Sequence, residues 1–194
     1  FLSQLIAEWD EYRDKGKIKE DYQSTDQHIE CLQEMLDFID SDIPDEKRFS
    51  LLKKVFLVIA SEEITDRDDV LPQQYMKICR KLTTGEVIVL LGAFHFGKNN
   101  PIDPNKTSAN EWLNNIAKTT NLQHSELVEL HERGLINKNI LTARIHSDKS
   151  GVKLGGHYRL TELGCKICQF VEKYDENHNT KQYDRVGREE EQQP

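Results

Sequence analysis

Residues 127–136 read Leu-Val-Glu-Leu-His-Glu-Arg-Gly-Leu-Ile, and residues 141–160 read Leu-Thr-Ala-Arg-Ile-His-Ser-Asp-Lys-Ser-Gly-Val-Lys-Leu-Gly-Gly-His-Tyr-Arg-Leu. In the first stretch Leu127, Leu130 and Ile136, with Leu122 upstream, have the spacing of a helix face turned toward a core. Gly134 reads as the helix stop, after which Leu135 and Ile136 turn back inward. In the second stretch residues 141–146 alternate like a strand. Residues 147–151 hold turn formers, and residues 155–160 read as a returning strand.

Helices frame these segments on both sides. Thr161 caps a final helix that turns Leu163, Ile167, Phe170 and Val171 inward. Upstream, Ser108 caps a helix with Trp112, Leu113 and Ile116 on one face. Before that lies a loop carrying Pro101 and Pro104. Thr83-Thr84-Gly85-Glu86 is a capping box with Thr83 at the N-cap. It opens an almost wholly apolar helix from Val87 to Phe96, which reads as buried.

The order helix, helix, helix, hairpin, helix resembles the winged helix-turn-helix domain over about residues 82–173. Residues 127–136 are similar to the end of a recognition helix in that superfamily. Residues 158–171, YRLTELGCKICQFV, look like its second wing strand and the helix that follows. The resemblance implies that the start of the third helix enters the major groove of DNA while the hairpin touches the backbone or minor groove. Carried over, it puts Gln123, His124 and Ser125 at base edges. It sets Arg144, Lys149, Lys153 and Arg159 on phosphates from the wing, with Lys118 assisting from the preceding helix. The chemistry is sensible, since Gln bonds adenine bidentately and Lys and Arg neutralise phosphate.

The front of the chain reads as a small helical bundle. Phe1, Leu2, Leu5, Ile6, Trp9 and Tyr12 follow the rhythm of an amphipathic helix that ends near Gly16. Ser24 or Thr25 caps a second helix carrying Ile29, Leu32, Leu36 and Ile39. After the break at Pro44, Asp45 caps a third, whose Leu51, Leu52, Val55, Phe56, Val58 and Ile59 mark it as central to the core. A fourth runs from about Leu71 to Leu82. The expected organisation is a bundle over residues 1–82, a winged-helix-like domain over 83–174 and a polar, mobile tail over 175–194. The expected fold class is mainly α, with a small β-hairpin wing.

Charge bears on function in two directions. The 194 residues carry a net charge of −8. Residues 1–63 hold 8 Lys/Arg against 16 Asp/Glu, a balance of −8, whereas residues 133–166 hold 7 against 2, a balance of +5. The basic stretch attracts phosphate and the acidic front repels it. The recognition-like helix also carries Glu126, Glu129 and Glu132 and has no Lys or Arg before Arg133. The expected function is therefore open between two readings. One is a non-enzymatic, regulatory or DNA-associated protein contacting duplex DNA through its wing. The other is a protein-interaction module with a structural winged helix. In either, the front bundle is a candidate surface for self-association or a protein partner.

Other chemistries find little support in the residues. The lone pair Cys165-x-x-Cys168 falls short of the four ligands zinc wants and reads as two small core residues one helical turn apart. Asp66, Asp68 and Asp69 beside Glu62 and Glu63 lack the glycine and spacing of a calcium loop, and read as a solvated turn. Gly155-Gly156 has no helix start behind it to hold phosphate. Phe94-His95-Phe96 reads as core packing around one histidine. No catalytic constellation, cofactor or metal site is expected. No apolar run approaches a membrane span, and scattered cysteines inside helical patterns suit a reducing cytoplasm.

Overall fold

The third helix, α3 (Glu46–Ser61), is buried on nearly every side: Phe49, Leu51, Leu52, Val55, Phe56, Leu57, Val58, Ile59 and Ala60 are all within the core. A helix apolar all round is stable only when neighbours cover it from several directions. The computed structural model describes residues 1–41, 45–61, 72–99, 109–122, 124–142 and 159–190. Among them, α1 (Leu2–Asp14), α2 (Asp26–Ile39) and α4 (Pro72–Arg80) pack against α3. A short 3-10 turn, Tyr22–Ser24, leads into α2. Then come α5 (Thr84–Asn99), α6 (Ala109–Thr120), α7 (Ser125–Asn137) and α8 (Glu162–Glu190). No described helix is long and apolar enough to cross a membrane.

Local chemistry sets several of the helix starts. Thr25 accepts the His28 N–H at 3.1 Å through its hydroxyl, and Asp45 accepts the N–H groups of Lys47 and Arg48 at 3.1 and 3.0 Å. The capping box before α5 is formed in both directions. The Thr83 N–H donates to the Glu86 carboxylate at 2.7 Å, and the Glu86 N–H donates to the Thr83 hydroxyl at 3.3 Å. Each such cap satisfies donors that the first helical turn leaves without partners.

The chain divides into two compact units, Phe1–Arg80 with Gln169–Pro194, and Lys81–Cys168. In the first, α8 meets the bundle through residues 170–178. Tyr174 donates to Glu8 at 2.5 Å, Lys54 pairs with Asp175 at 2.5 Å, and Tyr75 meets Phe170 edge-on at 5.2 Å. Glu8 also holds the ammonium of buried Lys53. Burial, reinforced by the Glu8 carboxylate, pushes the Tyr12 and Tyr174 phenols well above their ordinary range. Residues 175–190, which lack apolar periodicity, continue the helix rather than leaving it.

A ring cluster fills the other side of α1. Trp9 lies 5.2 Å from His28, 5.3 Å from Phe56 and 6.3 Å from Tyr22. His28 Nδ1 is buried without a hydrogen-bond partner among the described residues, and desolvation lowers the pKa of this imidazole below its usual 6.5. Below that value the unfolded chain takes up more protons than the folded one, so stability is full above it and declines as pH falls. We expect the melting temperature to drop between about pH 7.5 and about pH 5, with a smaller drop in a His28→Phe variant. Equal pH slopes in the two proteins would remove His28 as the cause.

The second unit corrects the expected fold class. It is mainly α, but among the described residues there is no β-strand and hence no hairpin wing. A single antiparallel bridge joins Leu141 to Leu160. The Thr142 N–H donates to the Arg159 carbonyl at 2.8 Å, and the Thr161 N–H to the Ile140 carbonyl at 3.0 Å. Arg159 sits at φ +65°, in the left-handed region, where a strand cannot continue. The bodies of the two expected strands, within residues 143–158, lie outside the described residues.

The face of α7 is also corrected. The inward residues are Val128, Glu132 and Leu135, whereas Leu127 and Leu130 are 42% and 60% exposed. Gly134 is not the stop. It lies inside the helix, where a Cβ would fall on the Glu86 carboxylate, and that absence lets α5 and α7 approach. The helix ends later, with left-handed Asn139 at φ +62° after the Lys138 C-cap.

Candidate functional site

The turn between α6 and α7 opens a cavity of about 550 Å³ at the start of the recognition-like helix. Two elements build it. On α6, Asn114 and Lys118, followed by Asn121 at the turn, recur at i, i+4, i+7 and share one face, while Leu113 and Ile116 face the core. Asn121 takes φ +60°, a conformation that asparagine tolerates better than most residues. This reverses the chain toward α7, where His124 is the N-cap and Ser125 and Glu126 form the first turn. All six residues line the cavity.

His124 makes no side-chain capping bond to α7, and it lines the cavity together with Ser125, Asn114, Asn121 and Lys118. The helix start adds partial positive charge, while exposed Glu126 opposes it. This donor-rich rim has one full positive charge and one full negative charge among the described residues. Its amides, hydroxyl, imidazole and ammonium can hydrogen bond a polar ligand. Among the described residues no group of three or more His, Cys, Asp or Glu side chains is arranged to hold a metal ion.

The residues expected at a DNA surface therefore divide. Lys118, His124 and Ser125 come together at this cavity. Gln123, Arg144, Lys149 and Lys153 lie outside the described residues, as does the acidic cluster from Glu62 to Asp69. Arg159 is not among the residues that line the cavity. Its guanidinium is 3% exposed and ion-paired with Glu132, itself 2% exposed, and Nη2 donates to the Thr142 carbonyl at 2.8 Å. Burial draws its pKa down to about 10, which still leaves it charged at neutral pH.

The same pairing changes the reading of the three glutamates on α7. Glu132 is internal and neutralised. Glu129 holds Arg133 at 2.9 Å, and Glu126 stands at the cavity rim. Asn114 and Asn121 were missed by the sequence reading. Their signal was the polar i, i+4, i+7 row opposite Leu113 and Ile116. Elsewhere, Cys168 is buried and Cys165 partly so, both as free thiols, and His95 is exposed while Phe94 is buried beside it. The chain matches no family model, no curated protein and no solved structure.

Proposed function

We propose that this chain is a regulatory, DNA-associated protein that contacts duplex DNA through the α6–α7 turn. The observation that carries the reading is the convergence of Lys118, Asn114, Asn121, His124 and Ser125 on one cavity at a helix start. Amides and a hydroxyl suit base edges and backbone oxygens, and a lysine suits a phosphate. With Arg159 turned inward and the chain acidic, affinity is expected to be weak, on the order of micromolar at low salt, and to fall as salt rises.

The test is fluorescence anisotropy with a labelled duplex across a salt series. Lys118→Glu is expected to weaken binding about tenfold and to flatten the salt dependence by about one phosphate contact. An unchanged affinity in that variant, or no binding by the parent at the lowest salt, overturns the reading. A second reading, a protein-docking module, is favoured by one specific observation. Leu127 and Leu130 are exposed on α7, and leucine side chains have no hydrogen bonds to offer a base edge.

A further inference from the structure

The outward row of α7 is Glu126, Leu130, Arg133 and Asn137, all exposed, with exposed Leu127 flanking it. Its spacing of four, three and four residues is the spacing of a coiled-coil seam. Large exposed aliphatic side chains on a helix mark a contact when they fall together and carry a polar border. Here the border has opposite signs at its two ends, with Glu126 in the first turn of the row and Arg133 toward the other end. The Arg133 side chain is 72% exposed, and Glu129 engages it from one side at 2.9 Å, leaving donors of the guanidinium fork for a second carboxylate.

We propose that this row is a self-association surface that packs antiparallel on the same row of a second copy. In a two-fold contact centred near Leu130, the leucines of both copies meet at the middle. Glu126 then falls near the partner's Arg133, and Arg133 near the partner's Glu126, as an isologous interface requires. A parallel arrangement sets Glu126 against the partner's Glu126 and Arg133 against the partner's Arg133, like against like. A uniformly basic or acidic helix satisfies one end of the row and repels the other. The row's own inverse is the partner that matches both ends. Two leucines per copy make a small apolar core, so the expected affinity is on the order of 1–100 μM. The contact covers the face of α7 beside the cavity, so self-association and DNA contact compete. The self-association claim shares only Glu126, at the cavity rim, with the DNA site, and its leucines and Arg133 stand outside it.

Sedimentation velocity of the full chain over a concentration series tests the proposal, with circular dichroism melts confirming that each variant is folded. The parent is expected to shift from monomer to dimer within that range. Leu130→Glu, at a 60% exposed position, should remain a monomer with an unchanged melt. Leu130→Ala serves as a milder second variant that weakens the dimer. Glu126→Arg and Arg133→Glu should each weaken it about tenfold, and the charge-swapped pair should recover most of that loss. A parent that stays monomeric throughout overturns the proposal. So does a dimer that survives both Leu130 variants, or a swapped pair no better than its singles. If the parent is monomeric and Leu130→Glu instead weakens duplex binding, the row belongs to the DNA face. If the dimer behaves as described and no duplex binds, the DNA reading fails alone.

Discussion

Replacing Arg159 with methionine is expected to destabilise the second unit by about 3–5 kcal/mol, the range seen when one partner of a buried ion pair is removed. The variant removes the guanidinium that pairs with the Glu132 carboxylate, itself 2% exposed. The guanidinium bond to the Thr142 carbonyl is lost as well. Urea denaturation followed by circular dichroism reads the loss as a lowered midpoint. The double variant Arg159→Met with Glu132→Leu should recover most of it, because two apolar side chains of similar size need no charge compensation. A cost below about 1 kcal/mol for Arg159→Met alone would show the pair to be solvated instead. The same outcome would return Arg159 to the list of cations available to phosphate. The left-handed backbone of Arg159 adds a control: Arg159→Gly relieves φ strain but removes the charge, and it should remain strongly destabilised.

Gly164→Ala is expected to cost about 2–3 kcal/mol, at the upper end of the range for overpacking. In an exposed helix interior the same change would be stabilising by about 1 kcal/mol, because alanine is the better helix former. Here a Cβ meets the Ile140 carbonyl oxygen well inside van der Waals contact, with the Ile140 and Leu160 side chains also close. That oxygen has little room to move. It accepts the Thr161 N–H at 3.0 Å and the Thr161 hydroxyl at 3.0 Å, and the same hydroxyl accepts the Gly164 N–H at 3.1 Å. Yielding to a methyl group would break the cap of α8 and the only β-type bridge among the described residues together. The sign of the change in denaturation midpoint decides the matter, since a more stable Gly164→Ala protein would mean that Ile140 and Thr161 give way freely.

These two positions share a consequence for function. Arg159, Thr142 and Glu132 tie the end of α7 to the start of α8 through buried polar contacts, and α7 is the helix whose first turn borders the cavity. Loss of Arg159 is therefore expected to perturb duplex binding through the position of α7 rather than through a lost phosphate contact. In that case affinity falls while the salt slope stays the same, the opposite of the Lys118→Glu pattern.

Much of the candidate site was legible because a helix-turn-helix connection is marked by local chemistry. The apolar face of α6 and the polar start of α7 are short-range features, and the resemblance to a helix-turn-helix set Lys118, His124 and Ser125 on them. The asparagine that reverses the chain was missed, because a left-handed φ is a property of the folded turn. The basic hairpin was the weaker inference. Alternation and turn formers are compatible with several backbone paths, and among the described residues the path taken is a single bridge closed by a left-handed arginine.

The order of the helices and the caps Thr25, Asp45, Thr83 and Thr161 were determined by the sequence itself, because each cap is a bond between residues two to three apart. The rotation of α7 was decided only by tertiary structure. Leu127 and Leu130 against Val128 and Leu135 are two apolar faces of nearly equal merit along one helix. The balance turns on Glu132, which is buried in an ion pair with Arg159, far along the chain. A charged residue reads as exposed until its partner is known, so the inward glutamate, the internal arginine and the exposed leucines emerged together from the fold.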